Sequence, residues 1–163
     1  MCIIFIISQN ARKCKFISCA ILKLNMATFY TDGSANPNPG PGGYAVICDG
    51  NPVALGREAD STNIRMEAKA LIAAYGLAAA GDEILTDSEF WVNVVTKWAP
   101  GWKANGWTKK SGAIKNLELV QELYAAYLAK PEVKLTWTRG HVGTDGNELA
   151  DEWANKARKG ATL

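Results

Sequence analysis

Four carboxylates and one histidine carry the chemistry that this sequence can offer. Asp32 follows the strand-like run ATFYT and precedes a turn-rich segment, GSANPNPGPGG. A loop so dense in Gly, Pro and Asn either bends tightly or lets the backbone of another molecule come close. Asp87 follows the short run EILT, again where a strand runs out. In sheets covered by helices, ligands collect beyond the carboxyl ends of strands, so the two aspartates become neighbours if their strands are adjacent and parallel. Glu67 lies three residues after Ile64 and four before Leu71, so helical spacing sets it with the apolar stripe Ile64, Leu71 and Ala74. A charge on a core-facing side is costly unless it is paired or bound to metal. Asp151 stands at the edge of a second stripe, Ala150, Trp153, Ala154 and Ala157, and the single histidine, His141, sits ten residues before it in a Gly-flanked loop.

Each residue also has a plainer reading. Asp32 suits a turn, Asp87 suits the first turn of a helix where the dipole favours an acid, and Asp151 suits a surface ion pair. A lone histidine is commonly structural. Glu67 resists such a reading most, and no Lys or Arg pairs obviously with all four acids. Taken together, the carboxylates suit a hard cation such as Mg²⁺, which prefers carboxylate oxygen and keeps several waters. Two such ions would activate a water and stabilise a leaving oxygen on phosphorus. A histidine in a loop beside them could shuttle a proton.

The elements that must position these groups follow from local pattern. Thr28–Thr31, Gly43–Cys48 and Pro52–Arg57 read as strands, with Asp-Gly between the last two as a hairpin signal. A long helix follows, with Ser61, Thr62 or Asn63 as its cap and Gly81 as its stop. EILT is a fourth strand, and Ser88 caps a helix running to about Trp98. Asn116–Lys130 is a helix stopped by Pro131, Val133–Thr138 the last strand, and Asn147–Lys159 a helix capped by Asn147 and ended by Gly160. Three strands followed by alternating helices and strands predict an α/β fold, a mixed sheet with helices on its faces.

Residues 26–160 form one domain, with 161–163 as a short tail. Residues 1–25 differ in kind. They hold Arg12, Lys13, Lys15 and Lys23 and no acid, and three of the four cysteines. Without those basic residues the remainder has 14 basic against 16 acidic groups, a net charge of −2. The leader's apolar runs are too short for a membrane span of about 20 residues, and they lack the order of a secretion signal. The favoured expectation is an extension without function, with Met26 opening the working protein. Targeting of some kind, an organelle transit peptide among the forms it could take, is the other reading. Cys48 alone cannot form an internal disulfide, so the body suits a reducing compartment. Cys14 and Cys19 have no second ligand pair for zinc.

The segments TDGS, TNIRMEAKAL, TDSEF and RGHVGTDGNELAD, in this order, resemble ribonuclease H type 1 of the bacterial kind. The likeness covers the body from Met26 to about Lys159. It implies the ribonuclease H fold, a five-stranded mixed sheet with helices on both faces. It also implies endonucleolytic hydrolysis of the RNA strand of RNA–DNA hybrids with Mg²⁺ or Mn²⁺, leaving 5′-phosphate and 3′-hydroxyl ends. By the same resemblance Asp32, Glu67, Asp87 and Asp151 are the metal-binding acids, and Asp32 bridges both ions. His141 aids proton transfer or product release, and Glu148 is an acid near the site. Asn38, Thr62 and Asn63 match a pocket for a DNA phosphate, chemistry that a helix N-terminus supports independently. Gly33 and Ser34 present backbone groups to ribose hydroxyls, the groups that separate RNA from DNA.

Lys97, Lys103, Lys109, Lys110 and Lys115 fall in a stretch without an acid, interleaved with Trp98, Trp102 and Trp107. Either this is a solvated basic loop with structural tryptophans, or it is a local arm for phosphates and sugars. It resembles the family's basic protrusion, with Trp98, Trp102, Gly106, Trp107 and Asn116 in place. Ile64, Glu89 and Val120 depart from the family pattern without touching a catalytic position. The resemblance further implies a monomer in the cytoplasm, with a nucleic-acid partner and no membrane. Two other classes are weighed: a DNA-directed nuclease on the same fold, and a hybrid-binding module without catalysis. The first lacks this histidine loop and arm in combination, and the second should show a substituted carboxylate. A chain begun at Met26 should keep full nuclease activity and solubility; a sharp loss of either on removing residues 1–25 would give the leader a role.

Overall fold

Asp49 and Gly50 both adopt positive φ, 50° and 73°, the backbone of a type I′ turn that matches the twist of the strands it joins. This turn pairs β2 (Gly40–Cys48) with β3 (Asn51–Ser61), and β1 (Thr28–Ala35) lies antiparallel to β2 on its other side. The computed structural model describes residues 26–140 and 145–163. After β3 come α1 (Asn63–Leu77) and β4 (Glu83–Thr86). A helical run follows, made of α2 (Glu89–Asn93), a π turn (Val94–Trp98) and α3 (Ala99–Ala104). The chain ends with α4 (Leu117–Ala129), β5 (Lys134–Trp137) and α5 (Asp145–Arg158). The sheet order is β3-β2-β1-β4-β5, with β4 parallel to both β1 and β5. The expected five-stranded mixed sheet is therefore present.

Alternation along β1 divides the molecule into two layers. Phe29, Thr31, Gly33 and Ala35 are buried, and Gly33 lies against the backbone of α1. Tyr30 and Ser34 face the opposite way, where the Tyr30 ring lies over Gly146 and Ser34 bonds Asn155 of α5. The first layer holds the large side chains: Leu71 and Tyr75 of α1, Ile84 of β4, Trp91 of α2, and Leu123 of α4. The Trp91 indole donates to the Ile64 carbonyl at 2.7 Å, tying α2 to α1. The second layer is thin. Ala150, Ala154 and Ala157 of α5 are fully buried, and Gly43 of β2 admits the helix backbone where a Cβ would collide with Ala154 and Arg158.

Several boundaries differ from expectation, each for a physical reason. β1 does not stop at Thr31 but continues to Ala35, because β2 extends back to Gly40 and pairs Gly33 with Tyr44 and Ala35 with Gly42. Asp32 is therefore inside an antiparallel ladder, not at the end of its strand, although the parallel ladder with β4 ends one residue earlier at Thr31. Gly81 does not end α1. The helix stops at Leu77, and Gly81 (φ 92°) lies in the following turn, where the Asp82 carboxylate accepts from the Ala79 and Ala27 backbone N–H groups. Thr62 is the cap of α1, its hydroxyl accepting from Arg65 N–H. Ser88 makes no capping bond to its helix, and that helical run passes Trp98 to reach Ala104. Asn147 is not a cap either, since α5 begins at Asp145 and Asn147 is buried within its first turn.

Gly33 is the tightest contact between the sheet and α1. A methyl group there would overlap the backbone of Met66 and Glu67, which cannot retreat without moving the helix. Gly33→Ala should therefore destabilise the protein by about 3 kcal/mol, the upper part of the usual overpacking range. Urea unfolding checks this, and a loss within experimental error would mean that α1 shifts freely.

Candidate active site

One residue beyond the Thr31–Thr86 pair, β1 carries Asp32 and the chain leaving β4 carries Asp87. The turn at Asp87 is held from both sides. Its carbonyl accepts from the Trp137 indole of β5 at 3.1 Å and from Glu89 N–H at 3.0 Å. Thr138 N–H reaches the Thr86 carbonyl at 2.9 Å, so β5 continues alongside. At Gly140 the chain passes over Asp87 so closely that a Cβ would lie 2.6 Å from its Oδ2.

Glu67 comes to this point from α1, whose approach Gly33 permits. Its carboxylate accepts from the Ser88 hydroxyl, which is why that hydroxyl is unavailable as a cap. Asp151 comes from α5 on the opposite face of the sheet, the face toward which Asp32 alternates. Asn155, one helical turn later, donates from Nδ2 to Asp151 Oδ1 at 3.1 Å, and its own Oδ1 accepts from Ser34 Oγ at 3.0 Å.

Asp32 and Glu67 feel the neighbouring acids. Burial, then the charges of Asp87 and Asp151 and to a smaller degree Glu67, raise the Asp32 carboxyl to about 7, against the opposing hydrogen bond from Gly33 N–H. Burial and the Asp87 charge likewise raise Glu67, opposed by Ser88. Among the described residues no Lys or Arg forms an ion pair with any of the four. Nor, among those residues, do three acidic, cysteine or histidine side chains converge as a ready-made ligand shell. The arrangement is a set of mutually repelling carboxylates that no Lys or Arg among the described residues pairs with, and a hard divalent ion fits it by charge and by donor type.

The remaining candidates are distributed around this cluster. His141 lies outside the described residues. Glu148 is exposed on α5, and Glu89 is exposed in the first turn of α2. Asn63 Oδ1 accepts from Ala35 N–H at 2.6 Å, which joins the start of α1 to the end of β1 beside the exposed Asn38 loop. Thr62 caps the same helix end. The Gly33 side of β1 faces α1, and its N–H is directed to Asp32.

The basic segment forms a separate wall. Phe90, Trp98 and Trp102 lie in edge or tilted contact, and with Lys109, Lys115 and Val120 they line a groove of about 530 Å³. The Lys109 ammonium lies 5.9 Å from the centre of the Trp102 ring. Lys110 is exposed. Asn116 (φ 53°) precedes α4, and its Oδ1 accepts from the Arg65 guanidinium, which also pairs with Glu118 at 2.6 Å. Asn155 and Ser88 escaped sequence reasoning as contributors to the site. For Asn155 the spacing of four from Asp151 was a visible signal; for Ser88 only the local capping pattern was visible.

Comparison with known proteins supplies independent findings. The family model described as RNase H matches residues 25–159. A ribonuclease H of Methylorubrum extorquens (strain PA1) is 43% identical over 137 residues, 81% of this chain and 60% of that protein. One from Francisella philomiragia is 43% identical over 141 residues, 83% of this chain and 92% of that protein. The chain thus spans about three fifths of the first relative and nearly all of the second. Among solved structures, LC9-RNase H1, a type 1 RNase H with the type 2 active-site motif, aligns with a TM-score of 0.70 and 32% identity, covering 84% of this chain and 74% of that one. The foamy viral protease-reverse transcriptase in complex with dsDNA aligns at 0.71 and 23% identity, covering 81% of this chain and 93% of that one, a likeness of fold.

The raised Asp32 pKa has a testable sign. Unfolded, the group titrates near its ordinary 3.8; folded, near about 7. Its contribution to stability is complete below the first value and is lost as pH rises through the second. In EDTA, the wild-type Tm should fall between about pH 4 and pH 7, the window set by those two values. Asp32→Asn should flatten that fall and melt above wild type at the higher pH. Identical Tm–pH curves for the two proteins would show that Asp32 carries no such strain.

Proposed function

Because the chain belongs to the ribonuclease H family, we propose that it is an endonuclease hydrolysing the RNA strand of RNA–DNA hybrids at the carboxylate cluster. The observation that carries this reading is the burial of Asp32 among Asp87, Asp151 and Glu67, in a chain matched to that family over nearly its whole body. Mg²⁺, or Mn²⁺ in its place, held as two ions by these four acids, would activate a water and stabilise the leaving oxygen.

The chain's own groups account for the rest. Water adds to phosphorus, the bond from phosphorus to the 3′ oxygen breaks, and that oxygen leaves with a proton, giving 5′-phosphate and 3′-hydroxyl ends. Proton handling falls to His141. The family likeness assigns the backbone at Gly33 and Ser34, beside Asp32, to the ribose 2′-hydroxyl, which only the RNA strand carries, although the Gly33 N–H is itself directed to Asp32. The N-terminus of α1 at Thr62 and Asn63, with Asn38 on the neighbouring loop, offers N–H and amide groups to a phosphate of the DNA strand. Trp98, Trp102, Lys109, Lys110, Lys115 and Asn116 form the wall along which that strand lies, with ammonium groups for phosphate and rings for sugar faces. Cys48 is free among the described residues and suits a reducing compartment such as the cytoplasm, where family likeness favours work as a monomer. No helix among the described residues is long and apolar enough to cross a membrane.

The test offers one labelled strand as RNA–DNA hybrid, RNA duplex, DNA duplex or single-stranded RNA, each with Mg²⁺ and with EDTA. Cleavage should occur only in the RNA of the hybrid and only with metal, and Asp32→Asn should nearly abolish it while hybrid binding persists. Cleavage of DNA duplex, or binding without cleavage, would replace this reading. Replacing Lys109 and Lys110 together should raise KM more than it lowers kcat. It should also make binding less salt-dependent, the slope becoming shallower by roughly one unit for each phosphate that is no longer neutralised. An unchanged slope would remove the arm from the binding surface.

A further inference from the structure

We infer that Asn155 is a positioning residue for Asp151, and that it links this carboxylate to the strand and loop that border the substrate side of the site. The inference rests on the reading of Asp151 as a metal ligand. Asn155 follows Asp151 by four residues on α5 and so shares its face. Its Nδ2 donates both to the Asp151 carboxylate, at 3.1 Å, and to the Asp151 backbone carbonyl, at 3.0 Å. Its Oδ1 accepts from Ser34 Oγ at 3.0 Å and from Arg158 Nη2 at 3.3 Å.

This set of partners dictates which way the amide points. A guanidinium only donates, so the atom facing Arg158 must be the oxygen. An ionised carboxylate only accepts, so the atom facing Asp151 must be the nitrogen. Reversing the amide would break the bonds at both ends. Arg158 in turn donates from Nη1 to the Asn36 carbonyl at 3.3 Å, where β1 gives way to the loop carrying Asn38. A continuous line of hydrogen bonds therefore runs from that loop through Arg158 and Asn155 to Asp151, with Ser34 joined to its middle. Without the Asn155 donor, nothing else among the described hydrogen bonds holds the Asp151 carboxylate toward the three acids that repel it. Hydrogen-bonded partners of ligating carboxylates are worth about 10–100-fold in metal affinity or activity.

The test compares wild type with Asn155→Ala, Asn155→Leu and Asn155→Gln. Mn²⁺ affinity of the free protein is read by electron paramagnetic resonance, and steady-state kinetics on hybrid and Tm are measured in parallel. The alanine and leucine variants should bind Mn²⁺ about tenfold more weakly and lose about tenfold in kcat, with KM for hybrid little changed. Leucine fills the side-chain volume, so the loss does not depend on a cavity. Glutamine keeps the amide and should recover most of both quantities. A lowered Tm with Mn²⁺ affinity and kcat at wild-type level below the transition would make Asn155 merely structural and overturn the inference. Absence of Mn²⁺ binding by wild type would overturn the metal reading, and this inference with it.

Discussion

The parallel ladder between β1 and β4 ends at Thr31 and Thr86, and each chain places an aspartate on the next residue. That adjacency brings two like charges together before either helix contributes its own. Glu67 and Asp151 then enter from opposite faces of the same sheet. Uncompensated, the cluster opposes folding, because like charges in a partly desolvated site interact far more strongly than in water. The rest of the molecule must hold four chain segments in place against that repulsion. Gly33 sets the distance of α1, Trp137 and Glu89 fix the Asp87 turn, and Ser88 supplies a hydrogen bond to Glu67.

The two layers answer this demand differently. On the α1 side, Trp91, Tyr75, Ile84, Leu71 and Leu123 are fully or almost fully buried, and this layer provides most of the hydrophobic stabilisation. On the α5 side the closest contacts are alanine against glycine, with Ala45 and Ile47 of β2 buried on the same face. Polar ties take a larger share there, from Ser34 to Asn155 and from Arg158 to Asn36. The helix that carries Asp151 is thus held by direction-sensitive bonds. Such bonds place a side chain more narrowly than apolar packing does, since they weaken steeply off their preferred angles.

Much of this was legible in the residues. Asp-Gly at 49–50 announced its hairpin because few other pairs accept two positive φ angles. Ile64, Leu71 and Ala74 announced the face of α1, and that face made Glu67 conspicuous. What was hidden depended on partners far along the chain. Gly33, Ser34 and Ala35 are poor strand formers taken alone, yet pairing with Tyr44, Gly43 and Gly42 keeps them in the ladder. Ser88 looked like a cap until Glu67, far away in sequence, claimed its hydroxyl. The π turn at Val94–Trp98 leaves no period of its own in so short a run. That the acids share one end of the sheet could be argued from strand ends and helix faces, but the Asn155 network required Ser34 and Arg158 in space.

The strand order leaves two rims to the sheet, β3 and β5. A rim exposes unpaired N–H and C=O groups, to which a strand from another molecule can add. β5 is only four residues long and opens with Lys134, so it offers a small template. β3 is eleven residues long, but it contains Pro52 and closes on Arg57, Glu58 and Asp60, with a register irregularity opposite Gly40–Gly42. Charge, proline and irregularity are the features that discourage strand addition. These groups lie away from the carboxylate cluster, and they bear instead on colloidal behaviour. A molecule stripped of charge along β3 would keep its fold and its chemistry yet present a long, unguarded rim to its neighbours in concentrated solution.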